Sequence, residues 1–323
     1  MRLTFRSIDE PTPGPRWHSL YERFLPAYKA WFLREGDAAR PSYRQTLAAL
    51  QAHMPELVPT YETLVDLAGG GDLAARLLGM YRPTPYLSAC SQAVIHRQTT
   101  ALIRNYDYAP DRCEGTLLRS TWTGRPVMAM SDCLWGVLDG VNGNGLAVSL
   151  AFGGRRVVGD GFGIPLVLRY VLEFCTSRDE AVSALARIPG HMAYNVTLVD
   201  KAGLAATVYV APDRPARIAA SPVAANHQGL VEWDRFARVT SSPQREAFLS
   251  QRLEDSAETV ESLADRFLAP PLYTSQWDRG WGTLYSAVYW PQSGSAWYLW
   301  PGRRWSQGLD AFSEDEFEVA FGV

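Results

Sequence analysis

No two cysteines in this sequence form a CxxC pair, and none has a zinc-like spacing to a histidine. There are only four, Cys90, Cys113, Cys133 and Cys175, in 323 residues. That density argues against a disulfide framework and makes a reducing, cytoplasmic compartment the expectation. No metal ion and no cofactor is expected either. An excess of charge of one sign is also missing. The net charge of −3 carries no signature of a nucleic-acid or anionic-membrane partner. Long apolar runs are lacking: Leu166–Cys175 is interrupted by Arg169 and Glu173. The stretch Met1–Arg16 is polar and Pro-rich, without the apolar core of a secretion signal. Internal repeats and low-complexity tracts are absent as well. What is present is an ordinary globular composition. The 11 Trp and 15 Tyr residues point to an aromatic core or pocket.

The chain reads as two unequal parts. Trp17–Glu35 places Leu20, Phe24, Tyr28 and Phe32 on one helical face, with Pro26 as a kink. Ser42–His53, Leu57–Leu67 and Asp72–Met80 are further helical stretches, and Asp72 is expected to cap the last. From Ser88 the texture becomes strand-like, at Ala101–Ile103, Leu117–Trp122, Pro126–Met130 and Leu146–Phe152. Two helices are predicted at Ile164–Phe174 and Arg178–Ile188, the second capped by Ser177. Strands return at Tyr194–Val199, Ala205–Val210 and Ala216–Ala219. Helices follow at Pro243–Leu253 and Thr259–Phe267, and strands close the chain at Thr283–Trp290 and Ala296–Trp300. This order implies layers of both types and not a βαβ repeat.

A lone cysteine is usually structural, because free Cys behaves as a small buried hydrophobe. Cys90 has unusual surroundings. It follows the small Ala89, and Ile103-Arg-Asn-Tyr-Asp-Tyr108 comes soon after it. Arg104 and Asp107 differ in parity, so a regular strand puts them on opposite faces. A turn after Asn105 would let them converge; otherwise they form a surface pair at a strand end.

Several stretches together resemble the acyl-CoA:6-aminopenicillanic acid (isopenicillin N) acyltransferase family. These are relatives of choloylglycine hydrolase and penicillin V acylase among the autoproteolytic N-terminal-nucleophile hydrolases. The stretches are Cys90-Ser-Gln, Arg104-Asn-Tyr-Asp107, Asp132-Cys-Leu-Trp-Gly136 and Asp139-Gly-Val-Asn-Gly-Asn-Gly-Leu146. Asn195 with Asp200-Lys-Ala-Gly203, Asn226-His227 and Arg245 follow in order. The resemblance implies that Cys90 is the nucleophile, freed by cleavage of Ala89–Cys90, and that its α-amine then serves as general base. It implies that Arg104 favours the thiolate, and that Asp107 accepts a hydrogen bond from the α-amine. Asn226 would donate to the oxyanion, with a backbone N–H near Phe152–Gly153 as second donor. Arg245 would support the site. The chemistry is sound: an α-amine with a pKa of about 7.7–8 and a thiol of about 8.5 exchange a proton almost thermoneutrally.

Other polar residues carry weaker expectations. Asn142 reads as a hairpin residue, Asn195 as a hydrogen-bonded framework residue, and Asp132 as a cap. His227 reads as a packing or substrate-side residue, and His96 as pointing away. Two positions depart from the family pattern, Ala225 where Thr is common and Ala89 where Gly is frequent.

The resemblance implies an α+β fold, a four-layer αββα sandwich spanning 90–323. Residues 1–89 are expected to be a helical pro-segment, retained as a second chain after cleavage. The substrate would be a small acyl amide or acyl-CoA, handled by a hydrolase or an acyltransferase. A homo-oligomer stays open. Two alternatives stand beside this reading: a catalytically silent binding or scaffold member of the fold, and a cysteine hydrolase that uses His227 without self-cleavage.

Overall fold

The computed structural model describes residues 1–322. Its first element corrects the expectation of a helical pro-segment over 1–89. Arg2–Asp9 is a strand, β1, in which Leu3 and Phe5 alternate towards the core. The expected helices follow as α1 (Pro15–Phe32), α2 (Tyr43–His53), α3 (Val58–Leu67) and α4 (Asp72–Gly79). Pro15 opens α1, where its missing N–H costs nothing. Ser42 and Gln45 close a reciprocal capping box on α2. Asp72 does not cap α4; Gly71 holds the cap position, and Asp72 lies in the first turn beside the helix dipole.

The rest of the chain runs β2 (Ala89–His96), β3 (Thr100–Tyr108), β4 (Thr116–Ser120), β5 (Val127–Asp132), β6 (Gly136–Asn142) and β7 (Ala147–Phe152). Helices α5 (Ile164–Phe174) and α6 (Arg178–Arg187) come next, with the Ser177 hydroxyl capping α6. Strands β8 (Tyr194–Val199), β9 (Ala205–Ala211), β10 (Arg214–Ile218) and β11 (Val223–Ala224) lead to α7 (Asp234–Thr240), α8 (Ser242–Glu254) and α9 (Val260–Arg266). The chain closes with β12 (Ser275–Gln276), β13 (Trp281–Trp290), β14 (Ser295–Trp300), β15 (Arg303–Gly308) and β16 (Glu316–Ala320).

Two sheets result. One has the order β10-β9-β8-β7-β6-β5-β4-β1-β16, the other β11-β2-β3-β13-β14-β15 with β12 on β13. They pack face to face. The Phe5 ring meets Tyr285 and Trp300 of the second sheet edge-on, and Gln92 Nε2 reaches across to the Asn195 carbonyl at 2.9 Å. Helix α5 covers the first sheet. Pro165 lies so close to Gly136 that a Cβ there would come within 2.5 Å of it. Arg169 and Glu173, the charges that interrupt the apolar run, pair with each other inside this layer at 3.1 Å. Helices α8 and α9 cover the second sheet, with Leu249, Val260, Leu263 and Phe267 against Ala93, Ile95, Ile103 and Val288. The layers are therefore αββα, as expected.

The N-terminal helices close one end. Trp17 Nε1 donates to the Leu134 carbonyl and Trp135 Nε1 to that of Leu78, both at 2.9 Å. Strand β1 pairs antiparallel with β16 and parallel with β4, so this segment is part of the sheet and not only a cover on it. No helix among the described residues is long and apolar enough to cross a membrane.

Candidate active site

Strands β2 and β3 form an unbroken antiparallel ladder from Ala89 opposite Asp107 to His96 opposite Thr100. There is no turn after Asn105. Arg104 and Asp107 stay on opposite faces, both fully buried, and each finds a different partner. They are neither a convergent pair nor a surface pair. The one irregularity lies across the ladder, between Thr283 and Tyr285 of β13.

On the face between the sheets, Arg104 Nη2 donates to Cys90 Sγ at 3.1 Å and to the Leu150 carbonyl at 2.9 Å. Arg104 Nη1 donates to Asp139 Oδ2 at 2.6 Å and to the Tyr285 hydroxyl at 3.1 Å. Asp139 also accepts the hydroxyls of Tyr285 and Tyr289. Burial works to lower the Arg104 pKa, but the charge of Cys90 in its thiolate form and the charge of Asp139 outweigh it and raise it. Burial pushes the Cys90 thiol up to about 11, although Arg104 pulls it down. Arg104 thus acts in the implied direction, but desolvation is the larger effect in the intact chain, and the thiol stays neutral near pH 7.

On the opposite face, Asp107 Oδ2 accepts from Arg245 Nη1 at 2.6 Å. Its Oδ1 accepts from Asn105 Nδ2 at 2.6 Å and from the Thr283 hydroxyl at 2.7 Å. Burial raises the Asp107 pKa against the pull of Arg245 and Thr283. Arg245, on α8, also donates to the Pro271 carbonyl at 3.1 Å. The Cys90 backbone N–H does not bond Asp107. It donates to Asn226 Oδ1 at 3.0 Å.

Asn226 is engaged at both ends, because its Nδ2 donates to the Phe152 carbonyl at 3.0 Å. Phe152 therefore offers an acceptor here and not the expected donor. The Gly153 N–H is taken by the Ala193 carbonyl at 2.8 Å. At Gly154, φ is +68° and a Cβ would stand 2.1 Å from the Asn226 carbonyl oxygen, so only glycine lets the two segments approach this closely. Asn195 Nδ2 grips the carbonyls on either side of Asn226, those of Ala225 at 2.8 Å and His227 at 2.9 Å. That is the framework position expected of it.

The His227 ring has partners other than the thiol. Its Nδ1 is 2.8 Å from the Ser242 hydroxyl, its Nε2 is 3.5 Å from Glu246 Oε2, and burial lowers its pKa. Ser242 also accepts the Asn226 backbone N–H at 2.6 Å. His96 is exposed at the far end of β2, six residues from Cys90 on the same face, with its ring at the Thr100 hydroxyl. Asn142 Oδ1 accepts the backbone N–H groups of Asn144 and Leu146 in its hairpin. Asp132 is no simple cap, since burial and the nearby Glu114 raise its pKa to about 7. No group of three His, Cys, Asp or Glu residues among those described could hold a metal ion.

Sequence reasoning gave no role to Asp139, Ser242 or Tyr285. The available signal was an aspartate inside Gly136-Val-Leu-Asp-Gly-Val-Asn142, a segment whose apolar spacing suits a strand buried on both faces. Asp139→Ala would leave the Arg104 charge buried without its counter-charge. It is expected to destabilise the fold by about 3–5 kcal/mol, read as a lower urea midpoint at unchanged slope.

The model of one protein family, acyl-coenzyme A:6-aminopenicillanic acid acyl-transferase, matches residues 95–305. Cys90 stands just ahead of the matched residues, while Arg104, Asp107, Asn226 and Arg245 lie within them. No curated protein matches the chain. Among solved structures, the chain is similar to a mutant conjugated bile acid hydrolase from Clostridium perfringens, with 12% identity over 72% of this chain and 97% of that one, TM-score 0.42. It is similar to penicillin V acylase from Agrobacterium tumefaciens, with 13% identity over 70% and 90%, TM-score 0.45. It is also similar to the Caenorhabditis elegans ortholog of N-acylethanolamine-hydrolyzing acid amidase, with 14% identity over 72% and 100%, TM-score 0.44.

Proposed function

Because this chain belongs to the acyl-coenzyme A:6-aminopenicillanic acid acyl-transferase family, we propose that it is a self-cleaving cysteine amidase or acyltransferase with Cys90 as nucleophile. The observation that carries this reading is the Arg104 guanidinium 3.1 Å from the Cys90 sulfur, while Asn226 holds the N–H of the bond to be cut.

In self-cleavage, Cys90 Sγ attacks the Ala89 carbonyl carbon and the bond to the Cys90 nitrogen breaks. Water then hydrolyses the resulting ester of the thiol, leaving an Ala89 carboxylate and a free α-amine on Cys90. That amine takes the thiol proton in the next reaction. The thiolate attacks the acyl carbon of a linear amide or acyl thioester, and the amine or thiol departs with a proton. Water or an amine then releases the acyl group from Cys90. Asn226 Nδ2 would turn from the Phe152 carbonyl to the oxyanion, and Arg245 would hold Asp107 beside the new amine. Residues 1–89 stay bound after the cut, because β1 is hydrogen-bonded on both edges and Phe5 is fully buried.

The reading with His227 as base is disfavoured because its Nδ1 is engaged by the Ser242 hydroxyl, while the group at the Cys90 sulfur is Arg104. N-terminal sequencing of the purified protein is the direct test. A fragment beginning at Cys90 is expected, and Cys90→Ala should abolish it. An active enzyme with only Met1 at its terminus would overturn self-cleavage.

A further inference from the structure

Tyr106 stands opposite Cys90 in the ladder, and its ring lies 5.6 Å from that of Tyr108 on the same strand. Tyr108 lines a cavity of about 350 Å³, shared with Tyr28 and Trp31 of α1 and with Tyr86, just ahead of Cys90. At the ~30 Å³ a water occupies in the liquid, this is room for roughly a dozen heavy atoms.

Three carboxylates also line this aromatic cavity, the exposed Asp111 and the buried Glu114 and Asp132. Glu114 Oε1 is engaged, accepting from the Tyr28 hydroxyl at 2.6 Å and the Leu134 N–H at 2.7 Å. Glu114 Oε2 has no hydrogen-bond partner, on a side chain only 2% exposed. The Ser131 hydroxyl is close enough to lower the Glu114 pKa as a hydrogen-bond neighbour, but it lies outside hydrogen-bonding geometry and leaves Oε2 without a full donor. A buried carboxylate oxygen without a donor is costly to keep.

The backbone is committed to this arrangement. Cys133 and Leu134 both take positive φ, 55° and 76°, a strained choice for residues with a Cβ. That turn delivers their N–H groups to the Tyr28 hydroxyl and to Glu114. Trp31 Nε1 also lacks an acceptor, so the complete ligand carries an acceptor as well as a donor. Arg34 and Arg112 line the cavity too, but both are exposed, and their charge is screened by solvent.

We propose that this cavity binds a protonated amine on an apolar or aromatic body, its ammonium donating to Glu114 Oε2 and its body lying against Tyr28, Trp31, Tyr86 and Tyr108. Aromatic faces attract a cation; burial raises the Glu114 and Asp132 pKa values, and a bound cation favours their ionised forms while an anion opposes them. That this amine belongs to the acyl-transfer substrate or acceptor rests on the Cys90 reading; the binding itself does not.

The test is calorimetric titration of the full chain carrying Cys90→Ala. Its ligands are phenethylammonium, the neutral phenethyl alcohol and the anionic 3-phenylpropanoate. The ammonium is expected to bind at least about tenfold tighter than the alcohol, the scale of one charged hydrogen bond, with the propanoate weakest. Glu114→Gln keeps an acceptor at Oε1 but sets an N–H donor at the unpartnered position. It should erase the ammonium's advantage while leaving the alcohol within about twofold. Alcohol or propanoate binding as tightly as the ammonium, or no binding by any of them in the millimolar range, overturns the proposal. So does a folded Glu114→Gln chain that binds the ammonium unchanged. If that variant does not fold, the ratio in the Cys90→Ala chain alone decides. Failure to find a fragment beginning at Cys90 would strike the nucleophile reading and leave this result standing.

Discussion

A chain that begins at Cys90, produced together with residues 1–89, is expected to hydrolyse an acyl amide without any processing step. The same pair with one extra glycine ahead of Cys90 is expected to be about 100–10,000-fold slower, the range that one positioned base contributes. The reason is protonation. An extra residue turns the α-amine into an amide, which has no basic lone pair to take the thiol proton. In the intact chain, burial holds that thiol at about 11. Burial raises the pKa, so the neutral thiol dominates at every pH below that value. At pH 7.5 the thiol is therefore overwhelmingly neutral. Arg104 lies 3.1 Å from the sulfur in the intact chain and does not by itself reverse this. The measurement is kcat/KM for a chromogenic acyl amide on both forms. Equal rates would exclude the α-amine as base and bring His227 forward, although its ring is bonded to Ser242.

Asn226→Ala, made in the chain that begins at Cys90, is expected to lower kcat by about 100–1,000-fold with a smaller change in KM. That is the usual loss for one oxyanion donor. The starting chain matters because Asn226 has two bonds in the intact protein. Its Oδ1 holds the Cys90 N–H and its Nδ2 the Phe152 carbonyl. Alanine in the full chain would disturb self-cleavage and turnover together. Asn226→Asp separates the two, since it keeps an acceptor for the Cys90 nitrogen and removes the donor. A loss of kcat like that of alanine assigns the effect to Nδ2. A kcat near that of the parent would show that the oxyanion is held by something else.

Much of the architecture is legible locally, because helix ends and hairpins are short-range events. Ser42 and Ser177 cap the helices they precede, and Tyr194–Val199 is a strand with the bounds its β-branched and apolar run predicts. The less legible elements owe their form to distant partners. Arg2–Asp9 alternates apolar and polar residues only as far as Phe5 and then runs Arg6, Ser7, Ile8, Asp9. It becomes a strand because β16, more than 300 residues on, and β4 supply its hydrogen bonds. Gly136–Asn142 is a strand because β5 and β7 pair with it on either side, and it carries glycine at 136 and 140 because Pro165 and Ala129 press where side chains would stand.

The candidate site divides along the same line. The sequence by itself determined which side chains are available and in what order: Cys90 after a small residue, Arg104 and Asp107 of opposite parity, then Asn226 and Arg245. Parity alone predicts that Arg104 and Asp107 face opposite ways on a straight strand, and they do. What only the tertiary structure decided is who partners whom. Arg104 pairs with Asp139 of the other sheet, and Asp107 with Arg245 from a helix. Asn226, not Asp107, holds the Cys90 nitrogen. A buried charge must be neutralised by whatever lies across the interface, and that neighbour is set by how sheets and helices stack, not by distance along the chain.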